Sequence, residues 1–147
     1  MLWHWQVWNQ AEGDMTIMIV RMKSPSPQYP DLSSAQAYFV IGIEAGDFRI
    51  LNDRGKPYLY PADLFDILDN RRPADWVIEF GYDGEEYAYP IPLNEPGFFE
   101  DYFDHKPEQV SVFWHVMNQN LLKAAWFKKG LKPKMTWAVI RGRSSLF

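Results

Sequence analysis

The chain predicts an α+β fold: a small antiparallel barrel or curled sheet of four to six strands, with two C-terminal helices packed on it. Three observations carry this. Short β-rich runs separated by tight-turn residues fill the middle of the chain, and Asp83-Gly84 joins two of them. Beyond Gly97 the apolar residues recur at helical spacing instead. Of the 147 residues, 47% are hydrophobic and 17% aromatic, enough apolar area for a core in a chain that has no cysteine to staple it.

Residues 1–30 read as an extended or disordered leader. MLWHWQVWNQ is rich in tryptophan but lacks a capping or turn pattern, and KSPSPQYP (Lys23 to Pro30) favours extended backbone. The domain is placed at 31–127, followed by a basic tail at 128–147. QAYFVIGIEA is a strand, AGD (Ala45 to Asp47) a tight turn, and FRIL the next strand. NDRG (Asn52 to Gly55) is a type I turn with glycine at its end. YLY follows as a third strand, with Pro57 near its entrance, where a missing N–H is tolerated. PADLF, opened by Pro61, makes one helical turn and leads into the strand FDILD (Phe65 to Asp69).

In WVIEFGYDGEEYAYPI, a two-residue type I′ turn at Asp83-Gly84 sets Tyr82 opposite Glu85. Phe80 then faces Tyr87, Ile78 faces Tyr89 and Trp76 faces Ile91. That register collects all six large apolar residues on one face, and a slip of one residue would turn aromatics to water. Phe98, Phe99, Tyr102 and Phe103 form the stripe of a short helix. Pro107 and Glu108 suit the first turn of a longer one, with an apolar face of Val110, Phe113, Trp114, Met117, Leu121 and Leu122 and a stop at Gly130. MTWAVIR near the end fits either a last strand or a loose tail.

The run YFVIGIEAGDFRILNDRGKPYLYPADLFDILD resembles small SH3-like barrels of bacterial proteins, through its meander, its NDRG turn and the helical turn before the next strand. Tyr38 to Trp114 as a whole is similar to uncharacterised bacterial proteins of this size. The resemblance implies binding of peptides, nucleic acids or partner domains more than catalysis.

Charge is divided sharply along the chain. From Asp31 to Glu108 there are 17 acids and 6 bases, and from Gln109 to Phe147 there are 7 bases and no acid, within a net charge of −4. An acidic body suits a basic protein partner, or its own tail. No segment reaches the roughly 18–20 apolar residues that span a bilayer, and the start has no signal-peptide pattern. A soluble cytoplasmic protein without membrane contact is expected.

The first functional expectation is therefore a non-catalytic protein-interaction module with an acidic surface. Tyr58, Tyr60 and Tyr82 are the candidate contact tyrosines of a groove for extended proline-rich segments, one that the chain's own SPSPQYP could occupy. Arg71 and Arg72 are candidate anion contacts, unless they pair locally with Asp69 or Asp75. The second reading is a nucleic-acid-associated protein using Lys128, Lys129, Lys132 and Lys134. The third is a carboxylate-dependent hydrolase built on GFFEDYFDHKPE, where Glu100 with Asp104 and Asp101 with His105 fall four apart. A D-x-x-x-H pair is short of the ligands a metal site needs, and phosphate-loop, G-x-S-x-G and H-E-x-x-H patterns are missing. No cofactor and no metal are expected.

Overall fold

The computed structural model describes residues 16–128. In chain order the elements are β1 (Ile19–Met22), β2 (Ala37–Glu44), β3 (Asp47–Leu51), β4 (Pro57–Tyr60), a 3-10 turn (Ala62–Leu64), β5 (Phe65–Asp69), β6 (Trp76–Phe80), β7 (Glu86–Pro90), a second 3-10 turn (Ile91–Leu93), α1 (Phe98–Phe103) and α2 (Pro107–Lys128). The strands form one open antiparallel sheet in the order β4-β3-β2-β1-β5, and β7 joins β2 and carries β6. Strand β2 is long enough to serve two neighbours on one side. Its first half pairs with β1 (Val20 with Tyr38) and its last residues pair with β7 (Ile43 with Ala88). Among the described residues, no helix is long and apolar enough to cross a membrane.

Among the described residues there are seven strands rather than four to six, and β1 comes from the region expected to be a leader. Along it and the two residues before it, Ile17 and Ile19 pack on one side of the sheet and Met18, Val20 and Met22 on the other, while Arg21 is exposed. Burial on both faces gives a continuous apolar run instead of an alternating one. KSPSPQYP is not extended either. Tyr29 N–H donates to the Ser26 carbonyl and Leu32 N–H to the Tyr29 carbonyl, closing two successive turns. Pro27 and Pro30 each occupy the second position, where their fixed φ suits a turn.

The two faces of the sheet bury separate cores. One is enclosed by the curled strands and holds Val20, Val40, Ile43, Phe48, Ile50, Phe65 and Trp76. The other lies under the helices and holds Ile19, Phe39, Ile41, Tyr89, Phe99, Phe113 and Met117. Val40 and Ile43 share a face although three residues apart, because a bulge between Val40 and Gly42 shifts the register against β3. Helix α2 is turned slightly from its expected face: Phe113, Val116, Met117 and Asn120 are buried, while Trp114 and Leu121 are exposed. Phe113 fixes that rotation, with its ring 4.5 Å from Tyr102 and 6.2 Å from Phe99.

The turns divide in an instructive way. Ala45 and Gly46, with φ of 52° and 86°, form the two-residue hairpin loop between β2 and β3. Gly55 N–H donates to the Asn52 carbonyl, as the NDRG reading requires. At Asp83-Gly84 the register is corrected by one residue. Phe80 pairs with Glu86, Ile78 with Ala88 and Trp76 with Pro90. The loop has three residues, with Gly81 N–H donating to the Glu85 carbonyl and Gly84 N–H to that of Gly81. The Glu85 carboxylate folds over Gly81, in space a side chain there would fill, and accepts the Asp83 N–H at 2.9 Å. This cap favours the longer loop. Tyr87 and Tyr89 consequently face away from Trp76, Ile78 and Phe80.

Candidate functional site

Strand β3 carries a charge into the interior. Arg49 is only 6% exposed and sits between β2 and β4 on the helix side of the sheet. A buried guanidinium needs a full set of partners. Its Nε donates to the Tyr89 hydroxyl, Nη1 to the Pro57 carbonyl and Nη2 to Glu44 Oε2, each at 2.7 Å. The Tyr89 hydroxyl in turn donates to the same Glu44 oxygen at 2.7 Å. The Phe99 ring covers the guanidinium, its centroid 3.9 Å from Cζ. Tyr89 reaches this position because its ring lies flat against Gly42, where a β-carbon would overlap it.

A second network lies around the turn between β3 and β4. The Tyr60 hydroxyl donates to Asp31 Oδ2 at 2.8 Å, and Asn52 Nδ2 donates to the same oxygen at 3.0 Å. Asn52 Oδ1 accepts the backbone N–H groups of Arg54 and Lys56. The Tyr38 hydroxyl donates to Asp53 at 2.6 Å and accepts from Ser33 N–H. Together these bonds tie the proline turns and residues 31–33 to the NDRG loop.

Between the two networks a groove of about 550 Å³ opens along the β4 edge. Tyr29, Tyr58, Tyr60 and Phe103 give it aromatic walls, with Arg54 and Asp31 among its polar lining. The Tyr58 and Phe103 rings lie 6.0 Å apart, and Tyr29 meets Tyr60 edge-on at 5.7 Å. Gln28, Tyr29 and Pro30 line one wall, so the chain's own proline segment shapes the groove. Strand β4 pairs with β3 alone, which leaves its outer edge without a strand among the described residues.

Of the three candidate tyrosines, two line this groove and the third does not. Tyr58 is exposed in the groove; Tyr60, at 2% exposure, is a core residue contributing to its wall; Tyr82 stands fully exposed on the β6–β7 loop, outside the groove lining. The expectation that Tyr60 is exposed is thus corrected, because its ring closes the inner core and its hydroxyl is held by Asp31 and Asn52. Arg71 pairs with Asp69 at 2.7 Å, the local alternative. Arg72 pairs with Glu86 across the hairpin instead of with Asp75. Both guanidiniums are therefore engaged by carboxylates.

The GFFEDYFDHKPE stretch does not align Asp101 with His105. Helix α1 ends at Phe103, and His105 adopts a φ of 60° beyond it. Lys106 N–H donates to the Asp101 carbonyl and His105 N–H to that of Tyr102, a Schellman-type end. The Asp101 carboxylate pairs with Lys106 Nζ at 3.2 Å. Among the described residues, no group of three or more His, Cys, Asp or Glu side chains is placed to hold a metal ion. Lys128 ends α2, and Lys129, Lys132 and Lys134 lie outside the described residues.

The electrostatics follow the geometry. Burial, reinforced by the Asp53 hydrogen bond, pushes the Tyr38 hydroxyl up to about 12. Burial likewise raises Tyr60 and Tyr89 well above the usual tyrosine value. For Glu44, burial works upward, but hydrogen bonds from Tyr89 and Arg49 outweigh it and hold the carboxyl below its usual range. These shifts favour the neutral form of the hydroxyls and the ionised form of the Glu44 carboxyl. That is the electrostatics of a fixed scaffold around an open aromatic groove. No protein-family model, curated protein or solved structure matches the chain.

Proposed function

We propose that the protein is a non-catalytic interaction module whose β4 groove takes an extended, basic, proline-containing segment of a protein partner. The observation that carries this reading is the aromatic-walled groove of about 550 Å³ beside a strand edge that has no partner among the described residues. Aromatic rings spaced along such a groove present flat surfaces to proline rings, and an extended segment loses little conformational freedom on docking. The acidic body between residues 31 and 108 attracts a basic partner and speeds its encounter.

The same reading takes β2 to β5 as an SH3-like unit. Support comes from the β2–β3–β4 meander and the single 3-10 turn (Ala62–Leu64) leading directly into β5. In this reading Arg49 and Asp31 are scaffold, since the Arg49 guanidinium and Asp31 Oδ2 are already bonded within the chain, and Tyr58 is the ring available to a ligand.

The test is a titration of the full chain with proline-rich peptides carrying lysine or arginine, against scrambled acidic controls. The basic peptides are expected to saturate binding, and Tyr58→Ala to weaken it on the order of tenfold, the worth of one aromatic anchor. Equal, non-saturating responses to all peptides, or full affinity in Tyr58→Ala, would refute the proposal.

A further inference from the structure

The β6–β7 hairpin presents apolar groups that nothing in the chain covers among the described residues. Ile78 is 44% exposed and Phe80 69%, and they share a face with Trp76. Among the described residues, strand β6 pairs with β7 only. Unpaired edges are usually blunted by proline, lysine, bulges or inward charge, since a flat edge is a template for another strand. The other two edges of this sheet have such features: β4 begins at Pro57, and β5 carries Asp66, Asp69 and a bulge opposite Ile19 and Val20. WVIEF in β6 has neither proline nor bulge, and its only charge is Glu79.

We propose that two copies of the chain associate through β6, antiparallel about Ile78, to make one sheet continuous across the dimer. Backbone phase supports this register. Gly81 bonds to Glu85 at the loop, so the alternation of antiparallel pairing directs Glu79 and Val77 toward β7. The N–H and C=O of Ile78 and Phe80 then point outward, toward the free edge. Centring the pairing on Ile78 lets it exchange both bonds with Ile78 of the second copy. Each Phe80 N–H meets the Trp76 carbonyl of the other copy, whose N–H is already given to Pro73.

Side chains agree with that register. On one face Ile78 meets Ile78 and the exposed Phe80 lies against the largely buried Trp76 of the other copy, so both exposed apolar groups gain cover across the two-fold axis. On the other face Glu79 lies opposite Val77, and no acid stands directly opposite an acid. The nearby Glu86 carboxylate is already paired with Arg72. The register gives the outward backbone groups of Ile78 and Phe80 partners in an identical strand, sets apolar against apolar and puts no acid opposite an acid, which favours a second copy as the occupant.

The mass of the full chain in solution, by sedimentation or light scattering across a concentration series, tests this. The two-chain mass is expected, halving in Ile78→Lys, which places a cation on the axis, and in Ile78→Pro, which removes the outward N–H while sparing the bonds to β7. Ile78→Cys supplies a gain of signal that needs no loss of association. In a chain with no other cysteine it should oxidise to a disulfide-linked dimer, because Cα atoms in such a pair lie about 5.5 Å apart. Val77→Cys should not. A one-chain mass at every concentration overturns the proposal, as does a two-chain mass that survives both substitutions. A chain that dimerises only when residues 129–147 are deleted would place that segment on β6 and overturn it as well.

Discussion

Arg49 and Phe80 are both large side chains on one sheet, and they meet opposite surroundings. Arg49 lies buried in β3 with its three nitrogens bonded and an aromatic ring over its plane. Phe80 stands near the end of β6 with most of its surface in water. Around Arg49 each buried polar group has its partner within the chain, so this region is a rigid frame for the groove next to it. Around Phe80 the apolar surface is complete only if something else supplies the other half. The contrast separates residues that hold the molecule together from residues available to a second molecule.

The sharpest way to break the frame is at its centre. Arg49→Ala should cost about 3 kcal/mol, because it strips Tyr89 and the Pro57 carbonyl of a partner and leaves a void beneath Phe99. Gly42→Ala should approach that, at about 2 kcal/mol, since the added methyl must displace the Tyr89 ring and with it the Arg49–Glu44 arrangement. Chemical denaturation of each variant measures both. If Gly42→Ala is neutral, Tyr89 is not held against β2 as described.

A smaller effect comes from pH, with different signs at the two extremes. The Glu44 carboxyl is depressed in the folded state, so its contribution is present above the unfolded value and lost as pH falls through the lower folded one. Glu44→Gln should remove that part of the acid-side slope. The Tyr38 hydroxyl is raised to about 12, so its contribution is present below the unfolded value near 10 and lost as pH climbs toward 12. Tyr38→Phe should flatten the alkaline limb of a stability–pH profile.

Smallest of all should be Phe80→Ser, at under about 0.5 kcal/mol per folded chain, because its ring is already in solvent in the monomer. A cost as large as that of Gly42→Ala would place Phe80 in the frame and erase the contrast.

Sequence patterns made some of this legible and hid the rest for physical reasons. The β2–β3–β4 meander, the NDRG loop and both helices were readable because turn residues and apolar period act locally. The β6–β7 register differs by one residue from the one the pattern suggests, because Asp83-Gly84 favours a two-residue loop and the deciding group, Glu85 folded over Gly81, lies outside any local turn rule. Strand β1 escapes local pattern reading because Ile17 to Val20 is an apolar run without alternation, buried on both faces of the sheet.

Of the groove, Tyr58 could be anticipated as an exposed strand tyrosine, whereas Phe103 arrives from α1, far from Tyr58 in the sequence. Arg49 gave one usable signal, a cation between Phe48 and Ile50 in a strand. Its partners Glu44, Pro57, Tyr89 and Phe99 are scattered along the chain, and no local pattern joins them.

The most direct test of the groove as the binding surface is a residue-resolved NMR titration of the full chain with a basic proline-rich peptide. Saturable shifts should concentrate at Tyr29, Tyr58, Leu59, Tyr60 and Phe103, and vanish in a folded Tyr58→Ala variant. Shifts that are absent, or that gather instead at Ile78, Phe80 and Tyr82, would contradict the account.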